Sequence, residues 1–208
     1  MIEGGDARHL ARSLRAKPGE EIHVIDPAGF MLTVRLEVVS TERVEGHIVS
    51  ERAHQPEPAA HITVAIANLP APALELVLSR CTEAGAYAFV VFHADRSIGR
   101  GAKLERWATI CREASMLAGR LHVPEVSVAT STDAVIGAVE QTVMLARDAP
   151  RRLASMTGPG DLTLLVGPEG GWTEREQNLA PLQATLGPRN LRAETAALVG
   201  LAIALAGS

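Results

Sequence analysis

Several features that would mark a function are scarce or missing in this chain. Its 208 residues hold two cysteines, Cys81 and Cys111, thirty positions apart inside helical patterns and in no metal-ligand spacing, so they read as buried reduced thiols. The seven histidines are scattered with no His-x-x-x-His or carboxylate partner, which argues against a metal site. A Gly-x-Ser-x-Gly element is absent, leaving serine or cysteine nucleophile chemistry without support. Basic charge is not in excess: the net charge is -4, so any contact with RNA has to rest on local patches. No run of 18 apolar residues and no charged, then apolar, leader is found, and the expectation is a cytoplasmic protein without a membrane span. Aromatic residues make up 3 %, and Trp107 and Trp172 read as packing residues before they read as base-stacking platforms.

What is present centres on residues 162–176. Leu162-Thr163-Leu164-Leu165-Val166 predicts a buried strand, and Gly167-Pro168-Glu169-Gly170-Gly171 cannot extend it. Thr173 with Glu176 three residues later has capping-box spacing, so a helix should start just past the loop. Strand, glycine loop, helix is how α/β proteins build a ligand site at the carboxyl ends of their strands. A phosphate loop would need Lys-Ser or Lys-Thr after its last glycine; Trp172-Thr173 follows instead, and Glu169 sits inside the loop, which disfavours a triphosphate. Taken alone, the loop is equally a tight turn. A second stretch repeats the logic twenty positions on: Leu186-Gly187-Pro188-Arg189-Asn190-Leu191-Arg192-Ala193-Glu194-Thr195, followed by an apolar helix over 195–206 that Thr195 could cap. Two such loops can face each other across one pocket.

The rest of the chain divides in two. A short helix at 7–14, strands at 21–26, 30–39 and 44–50, and turns at 17–20 and 27–29 suggest a small β-barrel. Two prolines and no apolar period mark 54–60 as a linker. Beyond it, strands at 62–67, 88–92, 126–129, 143–146 and 162–166 alternate with helical patterns, including 74–84 and 104–117, which argues a largely parallel sheet. Domains are therefore expected at 1–54 and 61–208. Between 95 and 122, Arg96, Arg100, Lys103, Arg106, Arg112 and Arg120 outnumber Asp95, Glu105 and Glu113 by three, which suits phosphate contact, although taken alone the pattern favours a solvated helix face with salt-bridge pairs. In the first domain only Arg8, Arg12, Arg15 and Lys17 cluster.

The two Gly-Pro stretches in this order, with weaker matches at 9–22, 74–85, Asp95-Arg96-Ser97, Leu104-Glu105-Arg106-Trp107, and Gly119-Arg120 with Val123-Pro124-Glu125, resemble the ribosomal RNA small subunit methyltransferase E family of the SPOUT class. The resemblance spans nearly the whole chain. It implies a SPOUT α/β fold with a C-terminal trefoil knot, a feature no periodicity argument reaches, behind an N-terminal PUA-like barrel. It further implies a homodimer that binds S-adenosylmethionine in the knot and methylates N3 of one uridine in 16S ribosomal RNA.

Carried onto this chain, Leu145, Ala146, Gly167, Pro168, Glu169, Gly170, Leu186, Gly187, Leu191, Arg192 and Thr195 would hold the cofactor. Arg192, with Arg189 second, would stabilise charge on the uracil carbonyls, and Glu194 would orient an arginine or take the N3 proton. Arg8, Arg12, Arg15, Arg96 and Arg120 would contact RNA. The sequence departs from the family at Ser79-Arg80, where Gln-Lys is usual, and at Met116-Leu117, where a polar pair is usual, and its N-terminus begins late, so the barrel's first strand is expected to be missing. These departures leave open a ribose 2'-O methyltransferase of the same class, or a catalytically silent dimeric RNA-binding module in ribosome assembly.

Overall fold

The computed structural model describes residues 1–26, 28–138, 141–158 and 160–207, so the Pro27 of the expected turn lies outside the described residues. The chain separates into two compact units, Met1–Pro56 and Glu57–Ser208.

The first unit is a four-stranded antiparallel sheet in the order β1-β4-β3-β2, formed by β1 (Ile2–Glu3), β2 (Glu21–Asp26), β3 (Phe30–Val39) and β4 (Arg43–Ala53). Register shifts within the β3–β4 pair at Thr33/Val34 and Leu36/Val38 bend it. Leu36 and Val44 meet Ala7 in a small core that Leu10, Ile22 and Val34 surround. Gly46 lies where a Cβ would stand 2.9 Å from a Val34 methyl, so only glycine fits that crossing. The helix predicted at 7–14 starts earlier, as α1 (Gly4–Arg8), and widens into a π-helical turn over His9–Ser13. It closes with Arg15 at φ 54° and the Ala16 N–H donating to the Leu10 carbonyl at 3.0 Å, a left-handed cap usually given to glycine.

The second unit is a six-stranded sheet in the order β10-β8-β9-β5-β6-β7, and every pairing in it is parallel. Its strands are β5 (Ile62–Ala67), β6 (Ala88–Phe92), β7 (Glu125–Ala129), β8 (Thr142–Leu145), β9 (Leu162–Val166) and β10 (Leu182–Ala184). The helices are α2 (Ala71–Glu83), α3 (Leu104–Ala118), α4 (Thr132–Ala138), α5 (Glu174–Leu179) and α6 (Ala193–Ala206). The alternation of side chains along a strand sorts them onto two faces. Ile62, Val64 and Ile66 join Leu74, Leu78, Trp107, Cys111 and Leu201 on one, under α2, α3 and α6. Ala65 and Ala67 join Phe92, Val135, Leu165 and Trp172 on the other, under α4 and α5. Both cysteines are buried and free; burial pushes the Cys81 thiol up to about 12 and raises Cys111 as well, so neither forms thiolate at neutral pH.

Predicted boundaries move by a few residues. β7 starts at Glu125, β8 runs 142–145 and leaves Ala146 outside, and α2 starts at Ala71, where Pro72 fits the first turn. α4 and β10 were not anticipated as named elements; each is short, and β10 has only three residues. Among the described residues, no helix is long and apolar enough to cross a membrane.

Candidate functional site

The chain runs outward from β5 to β7, then returns to build β8, β9 and β10 on the other side of β5, so the strand order reverses beside β9. Open parallel sheets bind ligands at such a reversal, beyond the carboxyl ends of the strands. Here that end carries a cleft of about 460 Å³, walled by residues 145–149 at the end of β8, 166–172 at the end of β9, and 185–187 and 189–191 after β10, with Ala193 and Ala196 of α6. Gln177 and Gln183 complete it.

Each wall has a local cause. At the first loop, Gly167 lies flat against the indole of Trp172: a Cβ there would stand 2.7 Å from the ring. That indole is buried, stacks on Phe92 at a centroid distance of 6.2 Å, and donates Nε1–H to the Leu145 carbonyl at 2.8 Å, tying the β9 loop to the β8 loop. Gly171 has φ 70° and Gly187 φ 118°, backbone states that side chains rarely adopt. On α6, Gly200 lets the helix close onto the sheet, since a Cβ would meet a Leu145 methyl at 2.8 Å.

The helix after the glycine loop begins as its spacing predicts. Thr173 and Glu176 form a capping box, with the Glu176 carboxylate also accepting from the Thr132 hydroxyl at 2.6 Å and the Asp95 N–H at 3.0 Å. Glu176 is fully buried. Burial alone would raise its carboxyl, but the Thr132 hydroxyl, the Thr173 and Asp95 N–H groups and the Thr173 hydroxyl outweigh that and hold it below the ordinary value. Arg175 forks onto Asp95 and Asp133, joining the β6 loop to α4 and α5. The Arg175 hydrogen bonds, then that of Thr173, hold Asp95 low.

Of the expected cofactor residues, Leu145, Ala146, Gly167, Pro168, Glu169, Gly170, Leu186, Gly187 and Leu191 line the cleft, and Arg192 and Thr195 do not. Arg189 lines it; Glu194 does not. Arg192 is the first residue outside α6, 82 % exposed in its side chain, with Nη1 3.9 Å from the Glu194 carboxylate. Glu194 is mostly buried, and its Oε2 has no hydrogen-bond partner among the described residues. Thr195 is exposed and does not cap α6, whose N-cap is Arg192 without a side-chain bond. Residues that the sequence reading passed over also line the cleft, among them Arg147, Asp148, Gln183, Thr185 and Asn190. Gln183 belongs to β10, a strand too short for the sequence pattern to mark, Thr185 follows directly after it, and Arg147-Asp148 lie just past the end of β8, one residue earlier than the sequence predicts.

Two of the expected RNA contacts donate to protein carbonyls, Arg120 from a buried position and Arg96 from an exposed one. Arg120 is 4 % exposed, donates through Nη1 to the Thr82 and Ala86 carbonyls at 2.9 and 2.8 Å, and forks onto Glu57. Four of its five N–H donors are engaged by protein acceptors, so its position serves the packing of this unit. Burial pushes Glu57 up, yet Arg120 and the N–H groups of His122 and Leu121 outweigh it and keep the carboxyl below its usual range. Arg96 donates to the Gly170 and Trp172 carbonyls. Arg106 pairs with Glu75 at 2.9 Å. Arg8, Arg12 and Arg15 are exposed.

The profile of the RNA methyltransferase domain matches residues 55–205. The ribosomal RNA small subunit methyltransferase E of a Synechocystis strain is 33 % identical, the match covering 93 % of this chain and 68 % of that one. The enzyme of that name from Bacillus subtilis is 28 % identical over 96 % of this chain and 87 % of its own. Among solved structures, the Neisseria gonorrhoeae protein of the same name, bound to S-adenosylmethionine, superposes with a TM-score of 0.86 at 31 % identity, covering 97 % of this chain and 88 % of its own. A methyltransferase from Legionella pneumophila with its cofactor SAM gives 0.85 at 25 %, covering 96 % and 88 %. The chain therefore belongs to the RNA methyltransferase domain family, among the ribosomal RNA small subunit methyltransferase E proteins.

Proposed function

We propose that this protein transfers a methyl group from S-adenosylmethionine to N3 of a uridine in 16S ribosomal RNA, acting as a cytoplasmic homodimer. The observation that carries the reading is the cleft itself, two facing glycine-bearing loops at the strand reversal with no lysine among the residues that line it. Its size falls in the range of small-molecule sites, roughly 300–1,000 Å³. The lining fits the cofactor's chemistry: Leu186, Leu191 and Ala196 offer apolar walls to an adenine, Gly167 and Gly170 allow close backbone approach, and the Glu169 carboxylate suits a cationic ligand, while Asp148 is paired with Arg147. When bound, S-adenosylmethionine supplies an electrophilic methyl group.

This chain's residues then have positioning and charge to provide. As the N3 proton leaves, negative charge grows on the ring carbonyls, and Arg192, exposed at the N-terminus of α6, is the group we assign to stabilise it, with Arg189 on the cleft wall as the second. Glu194, held 3.9 Å from Arg192, orients that guanidinium. The N-terminal unit is assigned as the RNA-binding domain, a PUA-like barrel presenting Arg8, Arg12 and Arg15, and the C-terminal segment as a trefoil knot. α6 is apolar on nearly every face, yet Thr195, Val199, Ala202 and Ala206 stay partly or fully exposed along one side; a second copy of the chain is the partner we assign to that stripe.

A second reading draws on Met116 and Leu117, which are 53 % and 79 % exposed where the family has a polar pair: an altered RNA target, including ribose 2'-O methylation, or a silent assembly factor. One experiment separates them. Calorimetric titration with S-adenosylmethionine is paired with mass spectrometry of 16S nucleosides from a deletion strain. Binding that Gly170→Trp abolishes, together with loss of 3-methyluridine, is the expected result. Loss of a 2'-O-methyl instead moves the assignment to the second activity. A folded protein that neither binds the cofactor nor changes the RNA would end the methyltransferase reading.

A further inference from the structure

Arg96 stands behind the glycine loop, outside the cleft that the loop walls. Its Nη1 donates to the Gly170 carbonyl at 2.9 Å and the Trp172 carbonyl at 3.4 Å, so one guanidinium bridges the two ends of the Gly170–Trp172 segment. The stem of the same side chain lies along the loop: a Cβ added to Gly170 would meet Arg96 Cβ at 3.2 Å and Cδ at 3.5 Å. Further along, the loop is anchored by the Trp172 indole on the Leu145 carbonyl and by the Thr173 N–H on Glu176. Gly170 and Gly171 between these anchors have the largest backbone freedom of any residue type, and Gly171 already sits at φ 70°. A hydrogen bond from the Gly171 N–H to the Pro168 carbonyl, at 2.9 Å, closes the turn.

We infer that Arg96 is a positioning residue which holds the glycine loop in its ligand-ready shape from outside, and that it is not an RNA contact. The inference rests on the cofactor reading above for its effect on binding, and on the apo protein alone for its effect on the loop. Freed of the bridge, the loop has more states to lose when it closes on a ligand, and affinity falls by that cost. Bonds from a charged donor to carbonyls are worth enough to make the loss about tenfold, or ~1.4 kcal/mol.

The test uses the full-length protein and Arg96→Met, which keeps the stem against Gly170 and removes both donors. Amide hydrogen exchange at 167–172 is measured without ligand, S-adenosylmethionine affinity by calorimetry, and affinity for a 16S RNA fragment across a salt series. The expected result is faster exchange at Gly171 and about tenfold weaker cofactor binding, with the salt slope of RNA binding unchanged and Arg96→Lys recovering part of the cofactor affinity. Unchanged exchange and cofactor affinity, with an RNA salt slope reduced by about one, would make Arg96 a phosphate ligand and overturn the inference. If wild-type protein binds no S-adenosylmethionine, the proposed function falls, while the exchange comparison still judges the bridge. Should Arg96→Met fail to fold, Arg96→Gln decides, since its amide ends two atoms short of the guanidinium nitrogens: Gly171 exchange and cofactor affinity at wild-type values overturn the assignment, and a measurable rise in exchange supports it.

Discussion

Substituting Gly167 by alanine isolates what the close contact between the glycine loop and Trp172 contributes. The added methyl would stand 2.7 Å from Cε2 of the indole and 3.0 and 3.1 Å from two more ring carbons, far inside contact distance. The ring cannot yield cheaply, because it is buried, stacked on Phe92 and hydrogen-bonded through Nε1 to the Leu145 carbonyl. Overpacking of this kind costs about 1–3 kcal/mol, and the indole bond, if lost as the ring shifts, adds roughly 0.5–1.5 kcal/mol. The expected destabilisation is therefore about 2–4 kcal/mol, or a fall in Tm of roughly 4–16 °C for a chain of this size. Gly137→Ala on α4 is the matched control: nothing lies within 4 Å of its added Cβ, and a helical glycine replaced by alanine should gain about 0.5–1 kcal/mol. Both are read by urea denaturation followed by tryptophan fluorescence and circular dichroism. A Gly167→Ala protein within about 0.5 kcal/mol of wild type, the scatter of ordinary surface changes, would refute the claim that the indole fixes the loop.

Arg120→Met should destabilise by about 2–4 kcal/mol, since it strands Glu57 and leaves the Thr82 and Ala86 carbonyls without their donor; salt-dependent RNA affinity should not move. Glu176→Gln should cost about 1–3 kcal/mol at neutral pH. Because the Glu176 carboxyl is held low in the folded state, its contribution is present above the unfolded value and is lost as pH falls through the folded one. The gap between wild type and Glu176→Gln in a urea series should accordingly be constant above the unfolded glutamate value of about 4.3 and narrow progressively as pH falls below it, and a gap that does not narrow at any pH below that value would contradict the assignment. Arg192→Ala should lower kcat by about 10²–10³ with little change in cofactor affinity, and Arg189→Ala should lower kcat by less; a kcat unchanged in Arg192→Ala, measured in single-turnover assays, would remove the assignment.

Much of this molecule could be read from local pattern. The parallel sheet follows from β-branched runs such as 62–67 and 162–166 alternating with helical periods, and the capping box at Thr173 and Glu176 is set by two residues three apart. The glycine loops announce a close approach because no other residue permits it. These signals are local, and local sequence suffices for them. What Arg96 and Arg120 do was not legible, since a guanidinium has the same sequence signature on a phosphate, a carboxylate or a carbonyl, and only the fold brings Gly170, or Glu57 and Ala86, within its reach. The same holds for Thr195, whose residue type suits a cap but whose helix begins two positions before it. β10 is three residues long, too short to carry a period of its own; it becomes a strand because the edge of β8 is there to pair with it, and with it Gln183 and Thr185 come onto the cleft wall. Sequence by itself determined the alternation of elements and the placing of bare backbone at the ends of two strands. Tertiary structure alone decided which charges face the site and which hold the protein together, because that depends on contacts made far apart in the chain, such as the one between Asp95 and Glu176, 81 positions apart.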